Sequence, residues 1–340
     1  MSIKIASFNV KNLNFGQGRD LDRIANIIND NNIDIVALQE VLGEGKILTG
    51  RSLNDVSGQA KAYEYSLKRR LRGNWRICWG NPETRAKDYP YLGEDSRHEG
   101  YAFMWKTDTI ELPQNEHGKE IYPRIWHQYK HKGENRLRLI RDPFCGRFKV
   151  RRLNAEIRLI TTHIVFGKPL SENLGTDIDY GAITLRRNEF ETIAGEIYPR
   201  IAEYHKDSKA NVPYTIILGD YNLNLISSGV NAATIPDIMF FDRNGHSYKD
   251  DREGVFSIKT VQNEKTTINH DENGYANNYD HFSFDKHTEG LIKDIGHDVY
   301  RIDAVHTHIK QGDISEEQKF SRYKREVSDH VPIVIELSLK

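Results

Sequence analysis

The stretch Ile3-Lys4-Ile5-Ala6-Ser7-Phe8-Asn9-Val10, answered by Asp34-Ile35-Val36-Ala37-Leu38-Gln39-Glu40-Val41, decides the reading of this chain. Both are short, nearly continuous apolar runs, as expected of strands covered on two faces. Between them Leu21, Ile24, Ala25 and Ile28 share one helical face. Outward from this strand–helix–strand opening, strand-like runs recur at Trp75–Trp79, Tyr101–Trp105, Phe148–Leu153, Glu156–Val165, Tyr214–Leu218, Tyr279–Phe284, Tyr300–Val305 and Val331–Leu339. Helical spacing returns only in Leu53–Leu71 and Phe190–Ile201. Many strands with few helices predict an α+β fold of two packed sheets with helices outside. No repeat, low-complexity tract or Pro/Gly-rich linker divides the 340 residues. One domain over 1–340 is therefore expected, with surface insertions near 112–139 and 227–266, where periodicity fails.

Composition narrows the class without choosing a function. A hydrophobic fraction of 38% and a charged fraction of 29% describe an ordinary globular protein rather than a disordered chain. No run approaches the roughly 18 apolar residues of a membrane helix, so no membrane partner is expected. A strand begins almost at Met1, which leaves no room for a signal peptide and predicts a cytoplasmic location. Cys78 and Cys145 are the two cysteines, too few for a disulfide framework. The net charge of −1 gives no global attraction to nucleic acid, although a local basic groove would suffice.

Chemistry enters through polar residues placed where a core has no use for them. Asn9 lies near the end of the first run and Glu40 follows Ile-Val-Ala-Leu-Gln. His163 sits in Leu-Ile-Thr-Thr-His, and Asp220 and Asn222 follow Ile-Ile-Leu-Gly. Asp280 breaks Tyr-Asp-His-Phe, and Asp329 and His330 precede Val-Pro-Ile-Val-Ile. Alone, each reads as a cap, a turn or a hydrogen-bonded core group. Together, at the ends of apolar runs, they predict a shared pocket, because unpartnered buried charge is costly. Oxygen donors from Asp, Glu and Asn suit a hard cation: Mg²⁺, with Mn²⁺ or Ca²⁺ as substitutes. The two histidines suit acid–base work.

In order along the chain, Ser-Phe-Asn-Val, Leu-Gln-Glu-Val at 38–41, Thr-His at 162–163, Leu-Gly-Asp-Tyr-Asn at 218–222 and Ser-Asp-His-Val-Pro at 328–332 resemble the endonuclease/exonuclease/phosphatase superfamily. The resemblance implies a four-layer αββα sandwich with its active site at one end of two mainly antiparallel sheets. Within the superfamily the chain looks most like DNase I. Leu92-Gly93 through Glu99, followed by Tyr101-Ala-Phe-Met-Trp, is similar to the segment whose glutamate orients a catalytic histidine, here His163. Arg141-Asp-Pro resembles a phosphate-gripping Arg-Glu-Pro, and Asn278-Tyr-Asp280 resembles the step whose aspartate orients the second histidine, His330. The likeness places Arg141, Tyr101 and Arg97 toward substrate, with Arg97 standing where DNase I has tyrosine. Leu42 replaces a DNA-contacting arginine, so sequence preference does not carry over.

These marks imply a divalent-metal-dependent phosphodiesterase acting on DNA. Glu40, Asn9 and Asp329 would hold the ion; His163, His330, Glu99, Asp280, Asp220 and Asn222 would carry the catalysis. Abasic-site endonucleases or exonucleases, RNases and deadenylases of the same superfamily come next, with RNA the alternative substrate. Phosphoinositide and sphingomyelin phosphohydrolases follow. A non-catalytic binding protein comes last, since every expected position is filled. A nuclease without a signal peptide also suggests a regulatory or inhibitor partner. Basic and aromatic residues interleave between Tyr122 and Arg141, which would suit a phosphate backbone or a solvated hairpin equally.

Overall fold

The computed structural model describes residues 1–13, 18–41, 46–50, 56–82, 99–126, 139–165, 182–203, 212–224, 240–241, 247–248, 258–262, 264–309 and 314–340. One sheet holds six strands in the order β14 (Val299–Arg301), β15 (Ile333–Ser338), β1 (Ser2–Leu13), β2 (Ile35–Val41), β4 (Gly100–Lys106) and β3 (Trp75–Gly80). The other runs β12 (Ile258–Val261), β13 (Asp280–Asp285), β9 (Val212–Asp220), β8 (Ala155–His163), β7 (Phe144–Val150) and β5 (Ile110–Glu111). Its seventh strand, β6 (Arg124–Ile125), also pairs with β7. A separate hairpin joins β10 (Phe240–Phe241) to β11 (Ser247–Tyr248). Only β1–β2 and β8–β9 pair in parallel; the other described pairs are antiparallel.

Three apolar clusters make the sandwich. Ile3, Ile5, Phe103 and Trp105 of the first sheet meet Phe148, Leu159, Leu218 and Phe282 of the second. On the far side of the first sheet, Phe8, Val10 and Leu38 pack on Ile24 and Ile28 of the helix Leu21–Asp30 and on Phe320 and Tyr323 of the helix Glu316–Glu326. On the far side of the second, Ile160 and Ile217 pack on Phe190, Ile193 and Ile197. Helix, sheet, sheet, helix is the expected four-layer αββα order. Local signals start the two helices on the first face. Asp20 accepts from Arg23 N–H, and Ser315 and Gln318 form a reciprocal capping box. None of the described helices is long and apolar enough to cross a membrane.

Strand alternation places the functional end. Side chains two apart face the same way, so the row facing the core between the two sheets runs Ile3, Ile5, Ser7, Asn9 on β1. It runs Ile35, Ala37, Gln39 on β2 and Ile157, Leu159, Thr161, His163 on β8. On β9 it runs Ile216, Leu218, Asp220, and on β13 Phe284, Phe282, Asp280. Each row turns from apolar to polar toward the same end of the sandwich. There Gln39 donates to Thr161 Oγ1 at 2.8 Å and to Ser7 Oγ at 3.2 Å, a buried polar floor that ties the two sheets.

Several boundaries differ from the sequence reading. The strand expected at Phe148–Leu153 is Phe144–Val150, because Phe144, Phe148 and Val150 are the buried partners of the opposite sheet and the chain turns after Val150. Tyr300–Val305 is extended only to Arg301, and Ala304–His308 is helical. Leu53–Leu71 splits into the helices Val56–Glu64 and Leu67–Arg70. The helix around Phe190 spans Ala182–Glu203 with a π turn at Ile193–Ile197. Both cysteines are free and partly buried.

Gly219 is fixed by its neighbours. Its φ is +142°, and a Cβ there would lie 1.9 Å from Thr162 O on the adjacent parallel strand. Gly219→Ala is expected to destabilise the chain by about 3 kcal/mol or more. Urea denaturation measures this, and a variant as stable as the parent would contradict the close strand approach.

Candidate active site

One oxygen gathers the site. Asp220 Oδ2 lies 3.6 Å from His163 Nε2, 3.5 Å from His330 Nε2 and 3.1 Å from Asn9 Nδ2. Sheet register makes this meeting: Asp220 is paired with His163 across β8–β9 and with Asp280 across β9–β13. His330 arrives from the other sheet's side through a bridge to Thr267. Ser328 secures that arrival, donating to Asn9 O at 2.7 Å and accepting from His330 N–H. Each imidazole has a carboxylate behind it. Glu99 Oε2 is 2.9 Å from His163 Nδ1, and Asp280 Oδ2 is 2.8 Å from His330 Nδ1. The two expected pairs are therefore assembled, with their Nε2 atoms turned toward a shared carboxylate.

Glu40 reaches the site by breaking the alternation. Gln39 occupies the inward row, so an ordinary strand would turn Glu40 away. Its φ of 58° and the slip of β2–β4 register between Leu38 and Val41 bend it back. Glu40 Oε1 then accepts from Asn9 Nδ2 at 2.9 Å and lies 3.8 Å from His163 Nε2. Asn9 thus bridges Glu40 and Asp220. Asp329 is ion-paired with Lys11 through Oδ2.

Burial and charge set the protonation states. Burial raises the pKa of Glu40, helped by Glu99 and Asp329 and opposed by His163. Burial likewise raises that of Asp220, against the two imidazoles. For His163, burial and then Arg141 oppose protonation, but Glu99 and Asp220 outweigh them and the pKa is raised. Burial opposes protonation of His330 too, yet Asp280 and Asp220 carry it well above the ordinary value. The donors of Glu40, Asn9 and Asp329 suit a hard divalent ion: all are oxygens, and Asp329 Oδ1 is shut from solvent without a hydrogen-bond partner.

Other expected residues are placed differently. Tyr101 was expected toward substrate, but it is 1% exposed, stacks on Phe144, and its hydroxyl accepts from His163 N–H at 3.0 Å. It supports His163 from behind because its row faces the inter-sheet core. Arg141 is also buried. Its Nη2 meets Glu99 Oε2 at 2.7 Å, and its Nη1 contacts His163 Nδ1 at 2.8 Å and His163 O at 3.2 Å. Asn222, at φ 50°, braces Asp220: its backbone N–H donates to Asp220 Oδ1 and its Nδ2 to Ile164 O. Arg97, Leu42 and residues 127–138 of the basic–aromatic stretch lie outside the described residues.

Sequence reasoning missed Glu189. From the helix Ala182–Thr192 its carboxylate accepts Ile140 N–H at 2.6 Å and Val165 N–H at 3.4 Å, tying the segment of Arg141 to the exit of the strand bearing His163. The signal was present: Glu189 adjoins Phe190 on the apolar face of a helix, where a carboxylate needs a partner. The polar floor was legible too, as Ser7, Gln39 and Thr161 occupy core-facing strand positions.

The two-sheet frame and the paired imidazoles at its polar end are those of a phosphoester hydrolase. The chain belongs to the Endonuclease/Exonuclease/phosphatase family, whose model matches residues 6–286. The enzymes of this family hydrolyse phosphoester bonds with the help of divalent metal. Among solved structures, a family protein from Bacteroides thetaiotaomicron is similar at 16% identity, over 99% of this chain and 95% of that one, with a TM-score of 0.48. A mannosyl-6-phosphatase from the same organism is similar at 15%, over 99% and 100%, with 0.48. TDP2 of D. rerio, humanized by 14 mutations, is similar at 12%, over 99% of each chain, with 0.50. At such identities the likeness concerns the fold alone. No curated protein matches the sequence significantly.

Burial pushes the Glu189 carboxyl from 4.5 up to about 7. Between those values the folded chain binds a proton that the unfolded chain has released. The stability gained by that proton is complete below about pH 4.5 and lost by about pH 7, a change of about 3 kcal/mol. Glu189→Gln removes this component while keeping an acceptor for Ile140. Unfolding free energies of both proteins at pH 5 and pH 8 should show the variant gaining relative to the parent as pH rises. A constant difference would show that Glu189 ionises normally.

Proposed function

We propose that this chain is a divalent-metal-dependent phosphodiesterase that cleaves DNA as an endonuclease. The observation that supports this most is the convergence of two carboxylate-backed imidazoles on Asp220 Oδ2, beside Glu40 and Asn9. That arrangement offers a proton acceptor and a proton donor facing one volume, as displacement at phosphorus requires. The DNase I-like segments that carry Glu99, Arg141 and Asp280 favour a nucleic-acid backbone as substrate.

Glu40, Asn9 and Asp329 would hold Mg²⁺, or Mn²⁺ or Ca²⁺ in its place. When bound, the ion supplies electrostatic stabilisation to the phosphate oxygens. The rest is done by side chains. His163, held at Nδ1 by Glu99 with Nε2 turned to Asp220, takes the proton of the attacking water at Nε2. His330, held protonated by Asp280 and Asp220, gives a proton at Nε2 to the departing oxygen. Asp220 stays between the two rings and stabilises whichever is charged, while Asn222 keeps its carboxylate from rotating. Arg141 can turn one guanidinium nitrogen from Glu99 to a phosphate oxygen, a charge-assisted contact of the same kind.

The test is supercoiled plasmid incubated with Mg²⁺ or Mn²⁺, in parallel with EDTA and with His163→Ala and His330→Ala. Relaxed circles should form only with metal, and each variant should slow cleavage by roughly 10²-fold or more. Full activity in either folded variant would falsify its assigned role. Inert plasmid alongside hydrolysed RNA or phosphorylated sugar would replace DNA as the substrate.

A further inference from the structure

Lys11 is a cation that the scheme above leaves without a task, and the backbone goes out of its way to bring it in. Lys11 and Asn12 both adopt left-handed conformations, with φ of 37° and 57°, and the β1–β2 register slips between Asn9 and Leu13. Two successive non-glycine residues in this region are strained unless their surroundings hold them. Here Arg19 does so: its Nη2 donates to Lys11 O at 2.9 Å, and its Nη1 donates to Lys324 O and Arg325 O. So placed, Lys11 engages two of the three residues assigned to the ion. Its backbone N–H donates to Asn9 Oδ1 at 3.0 Å, and its ammonium pairs with Asp329 Oδ2. Asp329 Oδ1, on the same carboxylate, is left buried and without a hydrogen-bond partner.

We propose that Lys11 is a built-in counter-cation that competes with the divalent ion for Asp329 and so sets how tightly that ion is held. The inference rests on the ion site of the preceding section and goes beyond it in naming what limits the site. Without the ion, Lys11 neutralises a carboxylate that would otherwise repel Glu40. With the ion, one carboxylate is shared between an ammonium and a divalent cation at close range, and their repulsion weakens binding. The Lys11 side chain is 35% exposed, so it has a path into solvent when the ion arrives. A plain surface ion pair would not account for the bent backbone, since exposed pairs contribute little to stability.

Calorimetric titration with Mn²⁺, without substrate, tests this. Lys11→Met should bind Mn²⁺ roughly tenfold more tightly than the parent, and Lys11→Arg, which keeps the charge, should bind like the parent. Adding Asp329→Asn to Lys11→Met should abolish the gain. Equal or weaker binding by a folded Lys11→Met, or a gain that survives Asp329→Asn, would overturn the inference. Should Lys11→Met not fold, Lys11→Gln carries the same expectation and the same reversal. Glu40→Gln separates the two readings. If the parent binds Mn²⁺ through Glu40 and Lys11→Met does not differ, only the role of Lys11 fails. If the parent shows no binding that depends on Glu40, the ion site itself fails and Lys11 has nothing to compete with.

Discussion

A single carboxylate oxygen, Asp220 Oδ2, is the point on which the polar end of this molecule depends. It is close to both imidazoles and to the amide of Asn9. Buried this deeply, it would be costly to ionise without partners, and the partners would be costly to bury without it. Asn222 and the tight turn after Gly219 hold the acid from one side, and Asn9 holds it from the other. Removing Asn9 takes a hydrogen bond from this carboxylate, and removing either imidazole takes one of its two counter-charges. The members of this cluster also draw the two sheets together, because Asn9 and Asp220 belong to different sheets.

The same constraint explains why the core is not uniform. Along five strands the inward row begins with large apolar residues and ends in groups that must hydrogen-bond. The apolar part excludes water and fixes the strands; the polar part inherits that rigidity. Ser7, Gln39 and Thr161 mark the transition, satisfied by one another at the depth where neither water nor a ligand reaches. A catalytic group supported in this way has little freedom to leave its place.

Much of this was legible in the amino-acid sequence. Nearly continuous apolar runs that end in, or are broken by, Asn9, Glu40, His163 and Asp220 mark strands covered on both faces and the end at which chemistry gathers. Two packed sheets with helices outside followed from many short apolar strands and sparse helices, and the four-layer αββα order from the resemblance to the superfamily. Other features depend on geometry that local pattern does not encode. Glu40 enters through a positive φ, which no neighbouring residue type announces. Tyr101 was expected to face substrate, yet it is sealed under His163, and Arg141 is engaged by Glu99 as well as lying beside His163. Those outcomes depend on tertiary partners as remote as Phe144 and Glu189. The strand expected from Phe148 begins at Phe144, since Gly146 and Arg147 interrupt the apolar run ahead of it.

The contacts that close the site span very different distances along the chain. Asp280 and His330 are 50 residues apart, Asn9 and Asp220 are 211 apart, and Ser328 reaches back 319 residues to Asn9. Long-range pairings of this kind form late, since chain-closure entropy must be overcome before they are rewarded. A growing polypeptide that has emerged only as far as β13 lacks His330 and the tie to β1. Both imidazoles are therefore brought together only when the first and last strands lie side by side. Competence for chemistry is in this sense a report that the chain has been synthesised through β15 and has folded.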